Sequence, residues 1–308
     1  MRKVLTPSLL ILALMLSISE AEAQQPGKFP RIGHVSGAAT PTFLNPNPSV
    51  EAFRQGLRDL GYIEGKNILI EYRYAEGKLD RAPALVAELV QLKVDVLVAT
   101  FLPGIRAAKE ATKTIPIVMV TGVDPVATGI VDSLARPGGN ITGLTTLARD
   151  LSGKRLELLK EAVPGISRVG VLWDANAEAP TISFKEYEAA ARALKIPLQS
   201  LEVRGPNADF DGAFQTAAKG RANALVAISN PVLSRYAKRI ADLAIKNRLP
   251  SMYERNQYVE TGGLMSYSSN VAESYRRAAT YVDKILKGTK PADLPVEQPT
   301  KFEMIINL

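Results

Sequence analysis

A single imidazole, His34, stands in a chain of 308 residues that has no cysteine. A Ser-His-Asp triad or a histidine metal site would have to use it, yet Arg31-Ile32-Gly33-His34-Val35 reads as a strand, so His34 is expected to be structural or to neighbour a ligand. Without cysteine there is no thiol nucleophile, disulfide or thiolate metal site. No G-x-S-x-G elbow, P-loop or G-x-G-x-x-G fingerprint occurs, and Pro137-Gly138-Gly139-Asn140 precedes a strand pattern, which makes it a poor phosphate cradle. Glu186 and Glu188 sit in a helical pattern and read as solvated. What remains suits binding. The positions just past each apolar strand run are Ser36, Gly37, Thr100, Phe101, Thr121 and Asp124 in the first half of the chain. In the second half they are Trp173, Asp174, Asn176, Ser229, Asn230, Tyr253, Glu254 and Tyr267. Hydroxyls and amides orient a small polar ligand, and aromatic rings supply flat apolar walls. Asp124 or Asp174 could pair with an ammonium, and Ser229 and Asn230 could hold a carboxylate. Asp124-Pro125 and Asn230-Pro231 read equally well as helix caps, and Trp173 as a core anchor. No catalysis, cofactor or metal is expected.

Positioning these residues requires strands that end on one side. Short β-type runs alternate with helical patterns throughout, which predicts parallel sheets covered by helices on both faces. Strands are expected at 31–35, 68–74, 94–99, 116–120 and 141–145, then at 168–172, 198–203, 224–228, 251–253, 263–266 and within 295–306. Helices are expected after Ser49, which could cap the first, and over 104–112, 125–134, 151–163, 182–194, 210–218, 233–247 and 271–286. The count is about eleven strands in two similar series, so two doubly wound lobes fit better than an eight-stranded barrel. Ligands of such open sheets bind beyond the carboxyl ends of the strands, where helix N-termini also point.

The N-terminus has a separate meaning. Arg2 and Lys3, an apolar run over Leu9–Leu16, and Ala21-Glu22-Ala23 are laid out as a secretory signal peptide (1–23) cut after Ala23. The run is shorter than the roughly 20 residues that span a bilayer. Export without disulfides suits a bacterial periplasm. The formal net charge of +7 is dispersed, and its densest patch, Arg235-Tyr236-Ala237-Lys238-Arg239, fits one solvated helix face, so nucleic acid is not an expected partner. The export signal also stands where a ligand-sensing transcription regulator would carry its helix-turn-helix.

Three segments stand out: Asp124-Pro125-Val126-Ala127-Thr128-Gly129-Ile130-Val131 with Arg136-Pro137-Gly138-Gly139-Asn140-Ile141-Thr142-Gly143; Gly262-Gly263-Leu264-Met265-Ser266-Tyr267 followed by Tyr275 and Arg276-Arg277-Ala278-Ala279; and Phe53-Arg54-Gln55-Gly56-Leu57 with Gly61-Tyr62. They resemble the ABC transporter substrate-binding proteins of the tryptophan- and phenylalanine-receptor type. The resemblance covers nearly all of 29–308. It implies a type I periplasmic-binding-protein fold, two parallel-sheet lobes joined by a three-strand hinge. The N-terminal lobe would be 29–146 plus 271–294 and the C-terminal lobe 147–270 plus 295–308. It further implies a monomer that delivers a small ligand, aromatic in the best-known members, to an ABC permease in the inner membrane. An exported sensing module for a membrane signalling protein is the alternative. At Ser229-Asn230-Pro231 the chain departs from the Thr-Asp-Asn-like element of the tryptophan receptors, which favours a carboxylate without an amine. The family pattern continues into one more helix, so a short C-terminus is expected at Leu308.

Overall fold

The computed structural model describes residues 29–43, 46–145 and 148–308; the expected signal peptide lies outside them. The first series of elements is β1 (Arg31–Ser36), α1 (Pro48–Asp59), β2 (Leu69–Tyr74), α2 (Ala82–Gln91), β3 (Val96–Ala99), α3 (Leu102–Ala111), β4 (Ile117–Thr121) and β5 (Ile141–Thr145). Its five strands are all parallel, in the order β2-β1-β3-β4-β5. Strands β3, β4 and β5 are buried at every residue, as expected of runs covered on both faces.

The second series is α4 (Ala148–Ala162), β6 (Val169–Asp174), α5 (Glu178–Leu194), β7 (Leu198–Val203), α6 (Phe210–Lys219), β8 (Ala224–Ala227), α7 (Pro231–Arg235), α8 (Ala237–Lys246), β9 (Ser251–Tyr253), α9 (Asn256–Glu260), β10 (Met265–Ser269), α10 (Val271–Leu286) and β11 (Phe302–Ile306). Its sheet runs β11-β10-β9-β8-β6-β7 and is parallel except for the antiparallel pair β10–β11.

The chain passes between the sheets more than once. After β10 of the second sheet, α10 packs against α1 and over β4 of the first. Asn270 marks this passage: its Oδ1 caps α10 by accepting from the Glu273 N–H at 2.9 Å, while its Nδ2 donates to Glu303 Oε1 at 3.0 Å. The return also begins on the first sheet. Val296 N–H donates to Leu134 O at 2.7 Å, Glu297 N–H to Gly143 O and Thr145 N–H to Glu297 O, both at 3.0 Å. The expected lobe boundary at 294–295 falls inside this contact, because residues up to Glu297 stay alongside β5 before the chain leaves for β11.

Several local expectations are corrected. Asn47, not Ser49, caps α1; its Oδ1 accepts from Ser49 and Val50 N–H, and Pro48 fills the first helical position, where no amide partner is needed. Residues 125–134 form turns rather than a helix, since Gly129 adopts φ +67° and ends the helical path after one turn. The helix expected over 233–247 breaks at Tyr236, whose hydroxyl donates to Pro206 O at 2.6 Å and whose ring meets Phe210. The strand expected at 263–266 begins at Met265 and runs to Ser269.

Candidate functional site

Parallel strands aim their carboxyl ends the same way, so each sheet gathers its loops on one edge. The two edges meet. Gly37 follows β1 and packs so closely on Pro231 at the start of α7 that a Cβ there would lie 2.7 Å from the proline Cγ. Arg235 Nη1 donates to Glu76 O at 3.4 Å, Arg106 of α3 pairs with Glu178 of α5, and Ala179 packs on the core beneath β3 and α3.

On the second sheet this edge carries a buried charge network. Arg155 of α4 is 2% exposed. Its Nε donates to Tyr267 O at 2.7 Å, and its Nη1 to Glu254 Oε1 at 3.3 Å and Tyr187 Oη at 3.4 Å. Tyr187 donates its hydroxyl proton to Glu254 Oε1 at 3.1 Å, and the Ser229 N–H donates to Glu254 Oε2 at 2.8 Å. Burial works against the Arg155 charge, but Tyr187 and Glu254 outweigh it and hold its pKa above the ordinary arginine value. Burial pushes the Tyr187 phenol well above the usual tyrosine range, so it serves as a donor. The network ties the ends of β8, β9 and β10 to α4 and α5. Removing one member would strand the other charge, at a cost of about 3–5 kcal/mol.

The residues singled out from sequence divide by environment. Asp174 and Asn230 are buried and bound to each other: Asn230 Nδ2 donates to Asp174 Oδ2 at 3.0 Å. Asp174 Oδ1 also accepts from the N–H groups of Asn176 and Gly205, while Asn230 Oδ1 caps α7 by accepting from Leu233 N–H at 2.7 Å. Asp124 accepts from Val126 and Ala127 N–H in a turn. Trp173 lies in the core, stacked on Phe184 at 4.6 Å, its indole N–H donating to Ser200. Tyr253 is fully buried and stacked on Tyr258 at 4.7 Å. Phe101 is buried against Gly104 and Gly37. Ser36 Oγ accepts from Ala38 N–H, and Thr100 Oγ1 donates to Val35 O. Ser229 and Tyr267 remain partly exposed along the edge, and Asn176 is exposed beside Arg204.

Sequence reasoning missed Arg155, Tyr187 and Arg255. Arg155 had a signal: it occupies the apolar stripe Leu151, Leu156 and Leu159 of α4, where a charge needs a buried partner. A separate cavity of about 340 Å³ lies on the first lobe, between Tyr72, Tyr74 and the start of α1, and none of the sequence-predicted residues lines it.

The sequence model described as "ABC transporter substrate binding protein" matches residues 47–308. The chain belongs to that family. It is therefore a substrate-binding protein of the ABC type and not an enzyme. Over 275 residues it is 28% identical to a tyrosine-binding protein of Clostridioides difficile (strain R20291), covering 85% of this chain and 76% of that protein. Its fold matches the crystal structure of a conserved domain protein from Vibrio cholerae O1 biovar El Tor with a TM-score of 0.81, at 29% identity over 91% of this chain and 92% of that one. It also matches an ABC domain from Streptococcus pneumoniae in complex with L-Trp, with a TM-score of 0.79 at 21% identity and the same coverage. The architecture is that of a type I periplasmic binding protein, with two parallel-sheet α/β lobes. No helix among the described residues is long and apolar enough to cross a membrane.

Proposed function

We propose that this family member captures a small aromatic carboxylate or amino acid between its two lobes in the bacterial periplasm and delivers it to an ABC permease. The observation that carries the reading is the meeting of the two strand-end edges, with Gly37 against Pro231 and Arg106 paired to Glu178. A molecule held in that gap touches both lobes and is bound better when they are together. It therefore shifts the balance from open to closed by its differential affinity. The permease then reads a surface that exists only in the closed form. The names of two relatives, a tyrosine-binding protein and an L-Trp complex, support an aromatic ligand. The signal-peptide layout of residues 1–23 supports export. The first lobe would comprise 29–145 with 271–297 and the second 148–269 with 302–308, and the edge residues Ser36, Thr100, Ser229 and Tyr267 are the proposed contacts.

A screen of aromatic acids, amino acids and purines by thermal shift tests the proposal, since a compound that binds only the native state stabilises it, by about 2.7 kcal/mol at 100 times its Kd, and so raises its melting temperature. The expected hit also reduces the radius of gyration in solution scattering. A stabilising compound that leaves scattering unchanged would argue against capture by closure.

A further inference from the structure

The acids along the gap are all engaged. Glu254 gives one oxygen to Arg155 and Tyr187 and the other to the Ser229 N–H. Asp174 is taken up by Asn230 and two backbone amides, Asp124 by its own turn, and Glu178 by Arg106. The cations are not balanced in the same way. Arg255 comes directly after Glu254 at the tip of β9, and its guanidinium forms no hydrogen bond or ion pair among the described residues. It is partly buried. Arg255 therefore stands on the second lobe at the strand-tip edge that meets the first, close enough to act electrostatically on the Tyr275 phenol of α10. The adjacent Glu254 does not neutralise it, because its charge is already balanced by the buried Arg155.

A partly desolvated guanidinium without a counter-ion is unfavourable, and a carboxylate delivered between the lobes relieves it through a charge-assisted, often bidentate, bond. We infer that Arg255 holds the carboxylate of the ligand, and that the ligand is an organic acid lacking an ammonium group. The inference rests on the reading of the gap as the ligand site. An α-ammonium entering beside Arg255 would find no carboxylate to accept it, and would add a second positive charge.

Calorimetry with three probes of one shape tests this: 4-hydroxyphenylacetate, tyrosine and tyramine, each with the wild-type protein, Arg255→Gln and Arg255→Lys. In the wild type, 4-hydroxyphenylacetate is expected to bind tightest and tyramine weakest. Arg255→Gln is expected to weaken 4-hydroxyphenylacetate by about 10- to 100-fold, with Arg255→Lys recovering part of the loss and both variants melting like the wild type without ligand. Should either variant fold poorly, the wild-type ranking decides alone, and tyrosine or tyramine binding above 4-hydroxyphenylacetate overturns the inference. Equal binding of 4-hydroxyphenylacetate by wild type and Arg255→Gln overturns the role of Arg255, while closure in scattering by the same probe keeps the gap as the site. Binding of all three probes without closure overturns both.

Discussion

His34 shows how a residue that invites a catalytic reading is spoken for by packing. Its ring is fully buried, 5.8 Å from Phe53 and 5.6 Å from Tyr72, and neither nitrogen has a hydrogen-bond partner among the described residues. Burial lowers its pKa from 6.5 to about 4. The unfolded chain then takes up the proton first, so the stability His34 contributes is present above pH 6.5 and is lost as pH falls towards 4. The loss should reach about 3 kcal/mol at pH 4. Urea unfolding of wild type and His34→Leu at pH 7.5 and pH 4 measures it. The gap between the two proteins should change by that amount, and a constant gap would show that the imidazole titrates normally. His34 was legible as one strand residue, but its burial was not, because which face of β1 meets α1 depends on residues more than ten positions away.

At the scale of elements, the motif Phe53-Arg54-Gln55-Gly56-Leu57 has a plain physical reading. Phe53 and Leu57 bury into the first core, and Gly56 brings α1 against α10. A Cβ at Gly56 would lie 2.6 Å from Arg276 O and 2.9 Å from the Ala279 Cβ. Backbone cannot step aside as a side-chain tip can, so Gly56→Ala should cost about 1–3 kcal/mol, seen as a lower denaturation midpoint with ligand affinity unchanged. The boundaries of α10 were legible in full, since its apolar spacing is regular and Asn270 supplies the cap. The helix expected over 125–134 was not, because its apolar residues mimic a helical period while Gly129 takes a left-handed φ.

At the scale of the whole molecule, two of the contacts between the lobes carry unequal weight in closure. The Arg106–Glu178 pair is nearly half exposed, and such pairs contribute about 0.2–1 kcal/mol. Arg106→Ala should therefore weaken ligand binding less than about 5-fold, an effect that added salt imitates. Gly37 is the stricter element. Gly37→Val puts a branched side chain where Pro231 already lies, about 1–3 kcal/mol against the closed form, or about 5- to 150-fold in affinity. Scattering should show the variant remaining open when ligand is added, and wild-type closure by this variant would mean that the contact is not a limit.

The alternation of strand and helix patterns in two similar series was enough to specify two parallel-sheet lobes, because backbone geometry and hydrophobic period act locally. Tertiary structure alone decided which polar residues at the strand tips are free for a ligand. Asp174, Asn230 and Glu254 look alike in sequence to open binding groups, yet folding supplies each with partners from distant elements. Among the described residues Arg255 is left without one, and a partner's absence is a property of the assembled fold rather than of the residue.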